Sequence, residues 1–287
     1  MVKKISKISR FLDIPDEPIT LPSPSIKEYE NKPFVTLLEA IQSVASLFDG
    51  IEDYVDVALS NCQNPLDGLT QDESAAIHLY TIQMHTGPSL YQVLNQSLRA
   101  ENRKELTPWF PYLRLFLTAL EKLPSLEGNV WRGVREINIS SKYTKGMQFH
   151  WRNVSSCTTD LKLLKSKKYL DKRGPRTLFS IQCINGKSIR NHSYFGNEVL
   201  LMPDSYFEVI SILNNVGGDL DIIQLKEIPS PTITLTSSPP VVGLWNSKSA
   251  ILINRLTSLQ KLVTNIFSKI NSSNPNSSSL LSTNEIV

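Results

Sequence analysis

The hydrophobic period of this chain changes near residue 129. Upstream, apolar residues recur three and four positions apart, as in "FVTLLEAIQSVASLF", where Leu37, Leu38, Ile41, Val44 and Leu47 share one helical face. Thr70 with Glu73 forms a capping box that opens a second helix in "QDESAAIHLYTIQM". A third follows in "SLYQVLNQSLRAENR", and Thr107 with Pro108 caps a fourth, "WFPYLRLFLTALEKL", whose first turn must also take in Pro111. From Asn129 onward the apolar runs are short, β-branched and aromatic: "NVWRGV", "MQFHWRNVSS", "RTLFSIQCI", "EVLLMP", "SYFEVISIL" and "LDIIQLKEI", separated by Gly, Asn, Asp or Pro. Helices gathered ahead of strands do not supply the regular crossovers of a parallel sheet. The expected fold is therefore α+β, a helical N-terminal half packed on a mixed or antiparallel β core.

Three segments follow from the same pass. Residues 1–29 form an extended arm, because Pro15, Pro18, Pro22 and Pro24, with Pro33 just beyond, break regular structure. Residues 30–228 make one domain, and 229–287 open with the linker "PSPTITLTSSPP". That last segment continues through one amphipathic stretch, "ILINRLTSLQKLVTNIFSKI", to a polar tail expected to stay disordered. The 30 basic and 27 acidic residues are mixed along the chain, unlike the dense basic face of a nucleic-acid binder. The basic start lacks the apolar core of a signal peptide, and no run approaches the ~20 apolar residues of a membrane span, so cytoplasmic residence is the default.

Several chemistries are excluded by what is missing. His78, His85, His150 and His192 form no H-E-x-x-H, and Cys62, Cys157 and Cys183 match no zinc spacing. No metal is expected, and the cysteines read as free buried thiols. Neither G-x-G-x-x-G, a P-loop nor a G-x-S-x-G elbow occurs.

Three features remain, each at a strand start or end. In "VWRGV", Arg132 either points to water from an edge strand or is buried against a partner, and Gly133 allows something to come close. In "WRNVSSCTTD", Ser155, Ser156, Thr158 and Thr159 suit either sugar binding or turn chemistry. In "SYFGNEVLLMP", a single carboxylate, Glu198, stands immediately before a core strand.

In this order the three features resemble the arginine-type mono-ADP-ribosyltransferase family: an Arg on one strand, an S-x-S strand, and a Glu-x-Glu before a V-L-hydrophobic-P strand. The helical segments before "VWRG" are also similar, so the resemblance covers roughly residues 30–228. The start "RFLDIPDEP" and the ending "LKEIPSP" look closest to members from rotifers. The resemblance implies NAD as the substrate, with NADP as a variant, no metal, and a protein acceptor with an arginine side chain. It implies that Arg132 and the backbone of Gly133 grip the nicotinamide side of NAD. Ser156 takes the first S-x-S position and Thr158 the last, with Cys157 between them. Glu198 falls on the second Glu, the family's catalytic acid.

That chemistry gives a reason for the acid. Breaking the bond between nicotinamide and ribose leaves an oxocarbenium-like sugar, which a fixed carboxylate stabilises. The loop "RNHSYFG" ahead of it is expected to be free to meet the acceptor. Gly196 stands where the arginine-specific members carry their first Glu, so three readings stay open: a transferase, an NAD glycohydrolase, and a silent relative that binds NAD or a protein. The basic run of Lys162, Lys165, Lys167, Lys168, Lys172, Arg173 and Arg176 reads as a solvated loop that could attract a pyrophosphate or an acidic protein.

Overall fold

The computed structural model describes residues 27–135, 139–161, 174–216 and 219–231. The expected arm and the tail with its amphipathic stretch fall outside this set, as do Lys162 through Arg173. Within it, five α-helices come first: α1 (Leu37–Ile41), α2 (Ile51–Asn61), α3 (Gln71–Thr81), α4 (Leu90–Arg99) and α5 (Phe110–Lys122). Seven strands follow: β1 (Ser125–Arg135), β2 (Gln148–Trp151), β3 (Ser155–Cys157), β4 (Arg176–Ser188), β5 (Val199–Leu201), β6 (Ser205–Leu213) and β7 (Leu220–Glu227). Helices segregated before a mixed sheet make this an α+β fold.

The helical half is built around α3, whose residues Glu73 through Thr81 are all buried. Its sequence "SAAIHLYT" is buried on every side and apolar except for the stripe of Ser74, His78 and Thr81, whose polar atoms all find partners. The Thr70–Glu73 capping box is formed: Thr70 Oγ1 accepts the Glu73 N–H over 3.2 Å, and Glu73 Oε2 accepts the Thr70 N–H over 2.9 Å. The Glu73 carboxylate also receives the Lys122 ammonium from the end of α5 at 2.6 Å, so one acid caps α3 and ties it to α5. Aromatic contacts extend the tie, with Tyr80 stacked on Phe116 and Phe116 on Tyr112.

Two helical expectations are corrected. The first helix stops at Ile41 and continues as a separate 3-10 turn, Ala45–Leu47. Leu37, Ile41 and Val44 are buried, whereas Leu38, within α1 but turned off that face, and Leu47, beyond the break, face solvent at 44% and 49% exposure. Thr107 does not cap the fourth predicted helix. A 3-10 segment, Arg103–Trp109, runs straight into α5, and its hydrogen bonds occupy the orphan groups that a cap would serve. Pro108 and Pro111 sit in this entry, where a missing N–H does no harm. The sequence reading did not anticipate α2.

The sheet runs β2-β6-β7-β4-β5-β3, with β1 antiparallel to β4, and β4–β7 is the parallel pair. The long strand β4 changes partner along its length. It pairs with β7 from Arg176 to Gln182 and with β5 at Lys187 and Ser188. Between the two, Glu227 Oε2 accepts the N–H groups of Ile184 and Asn185 at 2.7 and 3.0 Å, supplying the acceptors that β7 no longer provides. Gly186 lies in this bend, and a Cβ there would stand 3.0 Å from both Cys183 Sγ and Val199 Cγ1. Only a glycine lets β5 approach this closely. Arg176, expected in a solvated loop, is instead buried at the start of β4, where its N–H donates to the Asp219 carbonyl.

The halves meet at Val154, just before β3. Asn95 on α4 reads its backbone like a neighbouring strand: Oδ1 accepts the Val154 N–H and Nδ2 donates to the Val154 carbonyl, both over 3.1 Å. Tyr80 Oη donates to the same carbonyl at 3.0 Å. Asn95→Ala strands the buried Val154 N–H and should lower unfolding stability by about 1–3 kcal/mol. Urea denaturation followed by far-UV circular dichroism measures this, and an unchanged midpoint would remove Asn95 from the seam.

Candidate active site

Two hydrogen bonds bring the site together. The Trp131 N–H donates to the Thr158 carbonyl and the Thr158 N–H to the Trp131 carbonyl, each over 2.9 Å. This bridge returns β3 to β1, so the path β1–β4–β5–β3 closes on itself. Closure places the middle of β1 beside β3 and the start of β5.

Arg132 follows the bridged Trp131 and shares a face of β1 with Val130 and Val134, both in the core of the strand half. It is 3% exposed, and its Nη1 donates to the Ser156 carbonyl over 3.0 Å. The water-facing edge arginine is excluded. Gly133 is buried opposite Leu178. Ser156 is buried opposite Leu200 and shares a face with it, while Ser155 and Cys157 face the other way. The Thr158 hydroxyl accepts the Asp160 N–H at 3.0 Å, a turn bond that leaves its own proton to donate.

Glu198 ends the loop ahead of β5. Its carbonyl accepts the Ile189 N–H at 3.0 Å, and its carboxylate Oε2 accepts the Ser193 hydroxyl at 3.2 Å. Although it is an acid, it is 2% exposed. Cys157 senses both charges: burial pushes its thiol up to about 12, the nearby Arg132 opposes that rise, and Glu198 adds to it. A buried guanidinium and a buried carboxylate thus flank one strand.

Three neutral polar atoms around β3 are buried without a hydrogen-bond partner among the described residues: Trp131 Nε1, Asn153 Oδ1 and Ser155 Oγ. Buried polar atoms are usually satisfied, so orphans beside two buried charges fit a polar ligand such as a dinucleotide. Trp131, Asn153 and Ser193 join the candidate site only in the structure. An indole or amide without a partner leaves no mark in a sequence, and the only hint for Ser193 was its place in the same loop as Glu198.

A family model described as NAD:arginine ADP-ribosyltransferase matches residues 50–230. The chain belongs to this family. It is an NAD-dependent ADP-ribosyltransferase, with NAD as substrate. No curated protein sequence matches the transferase. Among solved structures it is similar to the ADP-ribosyltransferase HopU1 of Pseudomonas syringae pv. tomato, at 19% identity over 61% of this chain and 87% of that one, with a TM-score of 0.51. It is also similar to the ADP-ribosyltransferase Vis from Vibrio splendidus, solved with agmatine, at 21% identity over 76% of this chain and 93% of that one, with a TM-score of 0.48. The first likeness is one of fold.

Among the described residues of the transferase, no group of three His, Cys, Asp or Glu side chains could hold a metal ion. No helix there is long and apolar enough to cross a membrane. Cys62, Cys157 and Cys183 are free and buried, and burial raises all three thiols. A thiol reagent at pH 8 should therefore titrate none of them in the native protein and three after denaturation. Rapid native labelling would show that the site around Cys157 is open to solvent.

Proposed function

We propose that this transferase is a mono-ADP-ribosyltransferase in which Glu198 is the catalytic acid and Arg132, Gly133 and Ser156 hold NAD. The observation that carries this reading is the burial of Glu198 and Arg132 around one strand. Charges this deep are retained where a ligand meets them. Cleavage of the nicotinamide–ribose bond sends the bonding pair to nicotinamide and leaves positive charge on the sugar. A carboxylate already held by Ser193, and shielded from water, opposes that charge without having to reorganise. An acceptor side chain then forms the new bond at the sugar carbon and releases a proton.

Glu198→Gln keeps the shape and removes the charge. Nicotinamide release and label transfer should fall by ~100-fold or more, with NAD affinity nearly unchanged, as when a preorganised electrostatic group is lost. Undiminished turnover would sink the assignment. Arg132→Ala should weaken NAD binding first, since its role is to hold substrate. Unchanged NAD affinity would leave Arg132 a structural charge.

The acceptor question rests on Gly196. Its φ is +87°, a left-handed conformation suited to glycine, and a Cβ there would meet nothing within 4 Å. The space is open and the carboxylate is absent. Between Asn191 and Val199 the only acid is Glu198. Asp67 reaches this loop from another element, and it already accepts from Asn191 and His192. A guanidinium is held best by a bidentate carboxylate. The missing acid therefore favours a second reading, NAD hydrolysis, in which water takes the acceptor's place. Incubation with labelled NAD separates the two, as free ADP-ribose marks hydrolysis and label on protein marks transfer. Agmatine, a small guanidinium acceptor, should hardly stimulate nicotinamide release. Strong stimulation would mean that an acid elsewhere captures arginine and would restore arginine specificity.

A further inference from the structure

The loop between β4 and β5 was expected to be free, and it is fastened on two sides. On one side it grips the helical half. Asn191 Nδ2 donates to Asp67 Oδ2 over 3.0 Å, and His192 Nε2 lies 3.1 Å from the same oxygen. His192 Nδ1 lies 2.9 Å from Ser74 Oγ on α3, and its main-chain carbonyl lies 3.1 Å from His78 Nδ1. Two residues on, the Tyr194 N–H donates to Thr81 Oγ1 over 2.8 Å, and the Tyr194 ring meets the His78 ring edge-on. On the other side, Ser193 holds the acid: its hydroxyl donates to Glu198 Oε2 and accepts the Phe195 N–H.

The partners fix the proton positions. A carboxylate only accepts, so His192 carries its proton on Nε2, and Nδ1 accepts from the Ser74 hydroxyl. A carbonyl only accepts, so His78 carries its proton on Nδ1, leaving Nε2 to accept from the Asn61 amide at 3.2 Å. Hydrogen bonding, first from Asn191 and then from His192, holds the Asp67 carboxyl below its usual range. Asp67 itself is in a left-handed conformation, φ 59°, a strained arrangement for a residue with a side chain. The chain Ser74–His192–Asp67 has the residue types of a hydrolytic triad, and burial rules that out. Ser74 is 1% exposed and within α3, where no substrate reaches it.

We infer that His192 is a positioning residue for Glu198, acting through Ser193. This rests on the reading of Glu198 as the catalytic acid. His192 and Ser193 are adjacent in a turn whose N–H groups both return to the Ile189 carbonyl, at 2.9 and 2.8 Å. Fixing the imidazole on α3 therefore fixes the hydroxyl that orients the carboxylate. The hydrogen bond that Arg132 makes on β1, to the Ser156 carbonyl, lies outside the clasp. Catalytic groups must be held within about 0.5 Å of the productive geometry, and a loop does so only when its side chains are locked.

The test measures nicotinamide release by His192→Ala, Asp67→Ala, the double variant and Glu198→Gln. His192→Ala should lower kcat by about tenfold or more while KM for NAD moves less than about threefold, the signature of an interaction that matters in the transition state. Asp67→Ala, which changes a partly exposed side chain on a connection, should lower kcat in the same direction. The double variant should be no worse than His192→Ala alone, because both act through one contact. His192→Gln, whose amide N–H can still reach Asp67, should recover part of kcat. Wild-type kcat in His192→Ala, or a rise in KM alone, overturns the inference while an inactive Glu198→Gln leaves the site reading intact. Undiminished turnover in Glu198→Gln overturns both. If His192→Ala does not fold, Asp67→Ala decides, and wild-type kcat there overturns the clasp.

Discussion

The pair of hydrogen bonds between Trp131 and Thr158 is the constraint on which the rest of the site depends. Without that bridge β3 would hang from β5 alone, and Arg132 would have no Ser156 carbonyl to meet. The bridge is possible because β4 leaves β7 and takes up β5, which in turn requires Glu227 to satisfy the stranded N–H groups and Gly186 to yield space. Each of these residues does a backbone task some distance from the chemistry. Together they fold the sheet back on itself and bring an arginine and a glutamate to one strand.

Holding two such charges away from water is unfavourable unless each is compensated. Part of the compensation is internal, from the Ser156 carbonyl to Arg132 and from the Ser193 hydroxyl to Glu198. Trp131, Asn153 and Ser155 keep polar atoms without partners among the described residues. A site already dry and already oriented suits a reaction whose difficulty is the appearance of positive charge on a sugar, because fixed dipoles act most strongly where water is excluded. The helical half contributes rigidity. Through α3 it holds the loop that carries the acid, and through Asn95 it holds the chain entering β3.

Much of the architecture was legible because its causes are local. The capping box at Thr70, the polar breaks between strands and the change of period near residue 129 all act over a few residues. Failures occurred where a local pattern had two outcomes. Leu47 matches a helical face but lies beyond a break, Leu38 sits within α1 yet faces solvent, and Thr107 looks like a cap but a 3-10 turn does its work. The acidic opening of α2 carries no capping signal, because Gly50 rather than a capping side chain precedes it.

The sequence by itself determined the order of helices and strands, the presence of Arg132 and Ser156 in strands and of Glu198 just before one, the family resemblance they carry, and the absence of an acid at position 196. These are matters of residue type and short spacing. Only the tertiary structure decided that Arg132 points inward, that the Thr158 hydroxyl accepts a bond within a turn, and that Cys157 lies under the influence of both charges. It alone decided that His192 reaches Asp67, a partner 125 positions away in the chain. A contact across that separation is set by how the two halves dock, and no periodicity along the chain records it.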